Sequence, residues 1–457
     1  MQFTLPELLL ATTGQLHPPE NPAAQPGSST LNASGAESDA MVTSVTIDSR
    51  ALVPGSLFVA IQGERDGHDF LELAAGQGAS AALVSRLRPE VELTQILVPD
   101  TEKGLADIGR AARSRMSVPV IGITGSVGKT STKDLLAAIA AHSGPVAASE
   151  KSLNNELGVP LTLANALAEA ERVIIEMGAR GVGHIRYLCE IAEPTIGIVT
   201  RVALAHTEMF GSLEATAEAK SELVQSLPSS GTAVLNAEDP LVAAMADRTD
   251  ATVITYGSTG EVVAEAVALD DRLFPSFRLI SPWGNASVRL GVRGVHNVSN
   301  ALAAATAALA SGVHLDHVVQ GLSESTLSPL RMELLKSPYG GGILNDSYNA
   351  NPASMRAALE ALASLRGDRR VAVLGVMAEL GEQGPAEHQA IAGLARRLGI
   401  ELIAFGTDLY GTQGLSSIDE VLALQSAPGE GEQFLVKGSR IAALERLVEA
   451  WMSQTQG

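Results

Sequence analysis

Short apolar runs and helical patterns alternate through the middle of this chain. The runs are rich in β-branched residues, which is typical of strands buried on both faces of a sheet, and they lie at 118–123, 172–177, 195–200, 232–235 and 252–256. Residues 129–141, soon after the first run, carry apolar side chains at helical spacing. This alternation predicts a mainly parallel sheet with helices on both faces, whose ligands bind outside the carboxyl ends of the strands.

A second region of the same kind occupies the C-terminal part of the chain. Residues 341–362 have the pattern of a strand, a polar loop and a helix that begins near Pro352. Further strands are predicted at 369–376, 401–405 and 434–436, and helices near 386–398 and over 441–452. The region contains no G-x-G-x-x-G segment, so a dinucleotide site is not supported. We predict a Rossmann-like α/β domain here.

The N-terminal stretch has a weaker pattern. Short strands are predicted at 45–47 and 57–61, on either side of a Pro54-Gly55 turn. Residues 17–39 are rich in Pro, Ser, Ala, Asn and Gly and lack periodicity, so we interpret them as a flexible surface insertion. We therefore expect an α/β protein with three domains, at 1–100, 101–327 and 328–457.

The composition limits the possible partners and location of the protein more than it limits the choice of fold. The 457 residues include 32 basic and 51 acidic side chains, a formal charge of −19, which disfavours a nucleic-acid partner but allows a nucleotide in a local pocket. The single cysteine, Cys189, cannot form an internal disulfide, which suits a reducing compartment. No uncharged apolar stretch reaches about 18 residues, and the N-terminus lacks a basic signal-peptide region. We expect a cytoplasmic monomer with no membrane span.

The first candidate site follows the strand predicted at 118–123. The segment TGSVGKTS contains Gly125, Gly128, Lys129 and Thr130, in the order that lets backbone N–H groups, a helix N-terminus, an ammonium and a hydroxyl meet a phosphate and its Mg²⁺. The match to the strict P-loop pattern is imperfect, because Ile123 stands where the first glycine is expected. The alternative is a glycine-rich turn with a surface lysine.

Three more polar residues follow predicted strands or lie in the next helix. Glu176 closes the 172–177 run, where a Walker-B acid would bind Mg²⁺, and His206 follows the 195–200 run. Lys220 lies in an acidic helical segment. Each has a structural alternative: Glu176 can cap a turn, His206 can be a loop histidine, and Lys220 can pair with a neighbouring glutamate.

Other polar groups occupy positions that suit either ligands or caps and turns. The candidates are Asp48, Ser49 and Arg50; His68 in the loop 67–70; Asn154 and Asn155; Asn297 and Asn300, which share a helix face; and Lys437, Ser439 and Arg440. Paired amides suit a neutral polar substrate or a purine edge, and the basic turn suits a carboxylate or phosphate. Helix capping and ordinary turn chemistry remain open for each of them.

The order of these segments is that of a known family. TGSVGKTS, LNNELGVPLTL, IIEMGAR, AHTEMFGS, AKSEL, GVHNVSNALAA, NDSYNANPASM and VKGSR together resemble the Mur ligases, over nearly the whole chain from Ser44 onward. The resemblance implies an N-terminal UDP-substrate domain, a central ATP-binding P-loop domain, and a C-terminal domain that binds the incoming amine and closes on ATP. The segment from Thr46 to Phe70, with NDSYNANPASM and VKGSR, implies the ligation of D-alanyl-D-alanine to UDP-N-acetylmuramoyl-tripeptide through an acyl phosphate.

The resemblance also implies roles for individual residues. The ATP set is Thr124, Gly125, Ser126, Val127, Gly128, Lys129, Thr130 and Ser131, with Asn297 and Asn300 near adenine and Arg331 and Asp346 from the C-terminal domain. Two Mg²⁺ sites are implied, with Thr130, Glu176, His206 and a carbamoylated Lys220 as ligands; Lys129, Lys220, His206 and Glu176 form the catalytic set. The substrate set is Asp48, Ser49, Arg50, His68, Asn154, Asn155, Tyr348, Asn349, Asn351, Lys437, Ser439 and Arg440.

Two features depart from the family pattern, and several other functions compete. The 17–39 insertion is unusual, and Ala378 stands where relatives more often carry a bulkier apolar residue. Folylpolyglutamate synthetase and the muramoyl ligase for the third residue share the scaffold, but the latter usually has a D-N-P-R-like loop that this chain lacks. A GTPase switch would need N-K-x-D, which is absent, and a non-catalytic nucleotide-binding scaffold would not need Glu176, His206 and Lys220 together.

Overall fold

The structure is a computed structural model that describes residues 1–19, 41–150, 153–203 and 211–454. The chain divides into two compact units. The first comprises Met1–Gly122, Gly144–Met177 and Arg186–Pro194, and the second comprises Ile123–Ser143, Gly178–Ile185 and Thr195–Gly457. His206 and most of the 17–39 segment lie outside the described residues. The three predicted domain boundaries stay a prediction.

The N-terminal part of the first unit is built on a five-stranded sheet. Its elements are β1 (Phe3–Thr4), α1 (Leu5–Thr12), β2 (Gln15–His17), β3 (Met41–Val42), β4 (Ser44–Thr46), β5 (Ser56–Val59), α2 (Leu71–Gly76), β6 (Ala81–Val84), β7 (Gln95–Leu97) and α3 (Thr101–Arg113). The strand order is β2-β7-β6-β5-β4, with β2 antiparallel to β7 and the other pairs parallel. β4 and β5 are the strands predicted beside the Pro54-Gly55 turn, and they pair in parallel rather than as a hairpin.

The middle of the chain contains a six-stranded sheet. Its elements are β8 (Val120–Thr124), α4 (Lys129–Ala141), β9 (Val146–Ala148), α5 (Gly158–Ala164), β10 (Arg172–Glu176), α6 (His184–Ala192), β11 (Ile196–Val199), α7 (Leu213–Gln225), β12 (Thr232–Asn236), α8 (Pro240–Ala243) and β13 (Thr252–Tyr256). The strand order is β13-β12-β11-β8-β10-β9, and the division between the units passes through β8. The pairs β9–β10, β11–β12 and β12–β13 are parallel, and β8 is fully buried. The predicted mainly parallel sheet is confirmed.

A three-stranded antiparallel sheet follows, which the sequence pattern did not predict. Its strands are β14 (Val263–Leu269), β15 (Pro275–Ser281) and β16 (Gly284–Arg289), and two helices come next, α9 (His296–Ala310) and α10 (Leu315–Glu324). The register of β14 shifts between Glu265 and Ala268, and Ala266 has a φ of +53°. This irregularity breaks the alternation of apolar and polar residues by which a half-buried strand is recognised.

The C-terminal part of the second unit has its own α/β sheet. Its elements are β17 (Glu333–Lys336), β18 (Gly342–Asn345), α11 (Pro352–Ser364), β19 (Arg369–Gly375), α12 (Gly384–Arg397), β20 (Glu401–Phe405), α13 (Ile418–Leu424), β21 (Glu432–Lys437) and α14 (Glu445–Met452). The strand order is β17-β18-β21-β19-β20, parallel except for the β17–β18 pair. The loops after β18, β21 and β19 therefore follow the carboxyl ends of three neighbouring strands.

The predicted helix over 441–452 is wrong in its first part. A 3₁₀ turn occupies Arg440–Ala442, Ala443 has a left-handed φ of +46°, and the α-helix begins only at Glu445. A left-handed residue cannot continue a right-handed helix, so the two parts are separate. Leu444, before the helix, and Leu447, within it, are buried in the same core, so the apolar pattern is continuous across the point where the helix begins.

Both faces of the C-terminal sheet are covered by apolar side chains. Met355 and Leu359 of α11 are buried on one face, and Trp451 packs with its ring centroid 5.5 Å from that of Phe434 on the other. Burial on both faces explains why these strands are continuous apolar runs. In the described part of the chain, no helix is both long enough and apolar enough to cross a bilayer.

Candidate active site

The loop between β8 and α4 requires glycine at two positions. Gly125 and Gly128 have φ values of +148° and +89°. A Cβ atom on Gly125 would lie 1.9 Å from the Thr200 hydroxyl oxygen, and one on Gly128 would lie 2.4 Å from the Asn300 side-chain oxygen. Both conformation and space exclude other residues here, so the loop is held in a tight, fixed shape.

Hydrogen bonds fix the same loop against the end of β11. The Thr200 hydroxyl donates to the Val127 carbonyl at 2.6 Å, and the Ser126 N–H donates to the Arg201 carbonyl at 2.7 Å. The Ser126 hydroxyl oxygen is buried and has no hydrogen-bond partner in the structure. An ordered loop that opens a helix, with a buried hydroxyl still to be satisfied, is suited to hold an anion. Sequence reasoning missed Thr200, although its position after a predicted strand was a usable signal.

Lys129 is the first residue of α4. It is half-buried, and its side chain turns back toward the preceding loop rather than into solvent. Its ammonium donates to the Gly125 carbonyl at 2.7 Å. No side chain caps the N-terminus of α4, because the N-cap residue is Gly128. The helix N-terminus and the lysine together supply the positive charge that a phosphate group needs.

Lys220 is buried on α7. Burial, with a smaller contribution from the nearby Lys129 cation, lowers the pKa of its ammonium to about 7. On the same helix, Glu218 forms an ion pair with Arg248, and Glu222 accepts a hydrogen bond from the Gly183 N–H at 2.5 Å. A buried amine that is neutral in part near pH 7 is a nucleophile, so Lys220 can react with CO₂.

Glu176 lies at the end of β10 in the first unit and is buried. One carboxylate oxygen accepts a hydrogen bond from the Asn154 amide at 2.9 Å, and its backbone N–H donates to the Ser149 hydroxyl at 3.2 Å. The other carboxylate oxygen is buried without a hydrogen-bond partner. Since a buried, unsatisfied anion is costly, this oxygen fits a cation ligand.

The other proposed metal ligands are less well defined. His206 lies outside the described residues. Among the residues that the structure does describe, no three His, Cys, Asp or Glu side chains come together to hold a metal ion.

We call residues 124–130 the phosphate loop. Arg331, in the segment before β17, contacts this loop at Thr130. One of its terminal nitrogens donates to the Thr130 hydroxyl at 3.1 Å, and its guanidinium lies 4.1 Å from the ring centroid of Tyr348. The residues on either side, Leu330 and Met332, have left-handed φ values of +65° and +51°. Such conformations cost on the order of 1–3 kcal/mol each and are common at functional sites. The backbone is thus strained where it presents Arg331.

Lys437, which is buried, forms an ion pair with the half-buried Asp346 at an N–O distance of 2.5 Å. Lys437 also donates to the Asn349 carbonyl at 2.9 Å, and Asp346 accepts a hydrogen bond from the Met332 N–H at 3.2 Å. Lys437 is the last residue of β21, so the expectation of a basic group at a helix start is wrong for this residue. The pair connects the loop after β18 to the strained segment around Arg331.

Asn297 and Asn300 of α9 are joined by a hydrogen bond between their side chains and lie next to the phosphate loop. Asn297 donates to the Arg293 carbonyl at 2.7 Å and accepts from the Asn300 amide at 2.8 Å. The Asn300 oxygen lies 3.5 Å from the Thr132 hydroxyl and against Gly128. The predicted shared face is present, and both amides bond within the protein. Their contact with adenine stays a prediction.

Residues assigned to the UDP substrate form turns in the first unit. Asp48 accepts from the Arg50 N–H at 2.9 Å and pairs with the exposed Arg50 guanidinium at 2.7 Å. Between them, Ser49 begins a 3₁₀ turn. His68 is buried, and its Nε2 accepts from the Ser85 N–H at 3.0 Å.

The other ring nitrogen of His68 donates to Asp66 at 2.6 Å. Hydrogen bonds from the His68 backbone and ring lower the pKa of Asp66 to about 2. His68 therefore uses both ring nitrogens within the protein, and its role as a substrate contact stays a prediction, as do those of Asp48, Ser49 and Arg50.

Several other candidates have structural hydrogen bonds. Asn155 accepts from the Gly158 N–H at 3.0 Å, Asn349 accepts from the Ala350 N–H at 2.8 Å, Asn351 caps α11, Ser439 accepts from the Ala378 N–H at 2.9 Å, and Arg440 pairs with Glu445 at 2.8 Å. For Asn155, the hydrogen bond at the start of α5 fits the helix-capping alternative. The substrate roles of these residues stay predictions.

Three family models match the chain in order. They are "Mur ligase family, catalytic domain" at residues 41–113, "Mur ligase middle domain" at 123–308 and "Mur ligase, glutamate ligase domain" at 330–456. A UDP-N-acetylmuramoyl-tripeptide--D-alanyl-D-alanine ligase of Mycobacterium tuberculosis is 42% identical over 419 residues, which cover 85% of this chain and 81% of the relative. The chain belongs to the Mur ligase family.

Solved structures of Mur ligases agree with this chain along most of its length. MurF from Acinetobacter baumannii is 30% identical and superposes with a TM-score of 0.87 over 99% of each chain. MurF from Thermotoga maritima, in complex with ADP, is 26% identical, with a TM-score of 0.79 over 90% of this chain and 97% of that one. The Mur ligase fold of α/β type and the resemblance seen in the sequence are therefore confirmed.

Proposed function

We propose that this Mur ligase joins D-alanyl-D-alanine to UDP-N-acetylmuramoyl-tripeptide and converts ATP to ADP and phosphate. The curated relative that carries this name is 42% identical over 85% of the chain. The observation that carries the proposal is the phosphate loop, which is fixed by Gly125 and Gly128 and contacted by Arg331 at Thr130. A nucleotide phosphate and a group from the C-terminal part of the chain can meet at that loop.

The chemistry follows from the low reactivity of a carboxylate. An oxygen of the tripeptide carboxylate attacks the γ-phosphorus of ATP, and ADP leaves. The dipeptide amine then attacks the carbonyl carbon, and phosphate leaves with the carboxylate oxygen while the amine loses a proton. Lys129 and the N-terminus of α4 offset the negative charge during phosphoryl transfer. Arg331 adds a second cation beside Thr130.

Bound Mg²⁺ would offset charge on the transferring phosphoryl group. Glu176 would hold one such ion through its unsatisfied oxygen, and Thr130 would contribute its hydroxyl. Lys220 would contribute as a carbamate: its neutral amine attacks CO₂, an N–C bond forms, and a proton leaves. The lowered pKa of Lys220 supports this reaction, since only the neutral amine is nucleophilic. His206 completes the proposed ligands of two Mg²⁺ sites.

The substrate contacts complete the proposal. We assign Asp48, Ser49, Arg50 and His68 to the UDP end, Asn154 and Asn155 to the muramoyl peptide, Asn297 and Asn300 to adenine, Arg331 and Asp346 to ATP, and Tyr348, Asn349, Asn351, Lys437, Ser439 and Arg440 to the dipeptide. The domains at 1–100, 101–327 and 328–457 would carry the UDP substrate, ATP and the dipeptide, respectively.

The test is a three-substrate assay with the full-length protein. Phosphate release should require ATP, UDP-N-acetylmuramoyl-tripeptide and D-alanyl-D-alanine together. When the terminal carboxylate is labelled with ¹⁸O, the label should appear in the released phosphate. Turnover with folate and glutamate, or with a UDP-dipeptide and a diamino acid, would instead place the chain with other ligases of the same scaffold.

A further inference from the structure

The loop after β19 lies beside the strand end that carries part of the proposed dipeptide site. We call residues 376–380 the β19 loop. Its strand is next to β21, which ends at Lys437, and β21 is next to β18, which precedes Tyr348 and Asn349. Because ligands bind at the carboxyl ends of parallel strands, the β19 loop is placed to contact the dipeptide.

A buried histidine holds this loop. His388, on α12, accepts a hydrogen bond at Nε2 from the Met377 N–H at 2.9 Å. Its Nδ1 lies 2.6 Å from the Gly384 carbonyl, and a carbonyl can only accept, so the proton is on Nδ1. The ring is therefore the neutral Nδ1–H tautomer. Burial lowers the pKa of His388, which favours the same form.

Further hydrogen bonds attach the β19 loop to the VKGSR turn. The Ser439 N–H donates to the Val376 carbonyl, and the Ala378 N–H donates to the Ser439 hydroxyl, both at 2.9 Å. At the end of β19, the Tyr410 hydroxyl donates to the Gly375 carbonyl at 2.8 Å. The backbone from 375 to 378 is thus fixed from three directions.

The next residue, Glu379, has a strained backbone and an exposed side chain. Its φ is +70°, a conformation that glutamate rarely adopts. Strain of this kind persists only where the surrounding structure imposes it, and it is concentrated at ligand sites. The preceding hydrogen bonds supply that constraint.

We propose that His388 is a positioning residue for the acceptor substrate: it holds the β19 loop so that the Glu379 carboxylate binds the ammonium group of the dipeptide. The proposal rests on the proposed function and deepens it. A dipeptide zwitterion needs an anion for its amine end and a cation for its carboxylate end. Glu379 and Arg440 lie in loops that follow neighbouring strands, so this sheet edge carries both charges.

The first experiment measures the KM of each substrate in His388→Leu and His388→Gln. The leucine variant removes the acceptor for the Met377 N–H and should raise the KM for D-alanyl-D-alanine about tenfold or more, with the KM for ATP within about twofold. The glutamine side chain has an oxygen that can accept the same N–H, so it should restore most of the loss. His314→Leu, at a histidine whose side chain is 74% exposed, is the control and should change neither constant.

The second experiment separates the carboxylate from the backbone strain at Glu379. Glu379→Gln keeps the strain and removes the charge, whereas Glu379→Gly removes both, since glycine adopts φ near +70° freely. Both variants should raise the KM for D-alanyl-D-alanine about tenfold, and the glycine variant should have the higher Tm of the two because it lacks the backbone strain. Because Glu379 is exposed, these variants test the site even if His388→Leu does not fold.

Two results would overturn the inference. One is an unchanged KM for D-alanyl-D-alanine in Glu379→Gln. The other is an equal rise of all three KM values in His388→Leu without recovery in His388→Gln, which would indicate general loss of structure. Both results leave the proposed function intact, because the wild-type protein would still ligate the dipeptide. A wild-type protein that does not ligate it would overturn the proposed function and this inference together.

Discussion

The phosphate loop and the carboxyl edge of the C-terminal sheet fix their functional groups in different ways. The phosphate loop is made by consecutive residues, and its shape depends on Gly125 and Gly128. The C-terminal edge depends on pairs from separate elements, such as Lys437 with Asp346, 91 residues away, and His388 of α12 with Met377 of the β19 loop. A change in the loop should therefore affect chemistry more than folding, and a change at the edge should affect folding as well.

The largest effect is expected from Lys437→Met. The side chain of Lys437 is 3% exposed and that of Asp346 is 14% exposed, so removal of Lys437 leaves a largely enclosed carboxylate without its counter-charge. Breaking such a pair costs about 3–5 kcal/mol of the free energy of unfolding, measured by urea denaturation. Arg440→Met, in the same turn, removes a side chain that is 59% exposed and should cost at most about 1 kcal/mol. Equal losses in the two variants would contradict the proposed importance of burial.

Lys129→Ala tests the phosphate loop. We expect turnover to fall about 10²- to 10³-fold, because a cation directed at the phosphates is lost. Lys129 is only half-buried, whereas Lys437 is buried in an ion pair, so Tm should fall less than in Lys437→Met. Normal turnover would show that the loop is not the phosphate site, and a large fall in Tm would remove the contrast between the two regions.

Lys220→Ala should reduce turnover about 10- to 100-fold, the range expected for loss of a group that supports a metal site. If Lys220 acts as a carbamate, short carboxylic acids added to this variant should restore part of the activity. In the wild-type protein, removal of CO₂ should lower activity more at pH 6 than at pH 8, because the neutral amine becomes scarce below its pKa of about 7. An unchanged rate in Lys220→Ala would exclude the residue from the site.

Two variants that each lack one hydroxyl group compare the phosphate loop with the C-terminal edge through smaller expected effects. Thr200→Val removes the hydrogen bond to the Val127 carbonyl, and Ser439→Ala removes the acceptor for the Ala378 N–H. Each should cost about 1 kcal/mol of stability. Thr200→Val should raise the KM for ATP, and Ser439→Ala should raise the KM for D-alanyl-D-alanine. If either variant raises both KM values equally, the two regions are not independent.

The smallest effect is a pH dependence of stability from His388. Burial lowers the pKa of this histidine in the folded state below its unfolded value of about 6.5. Between these two pKa values the unfolded state binds more protons, so the free energy of unfolding should fall as pH decreases through this window. The contribution is fully present above the unfolded pKa. Denaturation of His388→Gln between pH 5 and 7 should show a shallower dependence than the wild type.

The sequence predicted the parts of the site that are local. The strand at 252–256 and the helix at 129–141 have the predicted bounds, and the TGSVGKTS loop lies between a buried strand and a helix as expected. His388 was missed because nothing in the sequence indicates that its ring accepts a hydrogen bond from the Met377 N–H. In the antiparallel sheet β14–β16, the register shift in β14 breaks the alternation that identifies a strand, whereas β15 and β16 pair in regular register and their alternation was a usable signal.

The sequence by itself determined the succession of strands and helices, the glycine loop and the family, because each depends on neighbouring residues or on an ordered set of motifs. Only the tertiary structure decided which of the candidate side chains are bonded within the protein. Asp346 and Lys437 are 91 residues apart in the chain, and Thr130 and Arg331 are 201 apart. Contacts between residues so far apart in the sequence depend on how the sheets bring their strand ends together, and no local pattern encodes that arrangement.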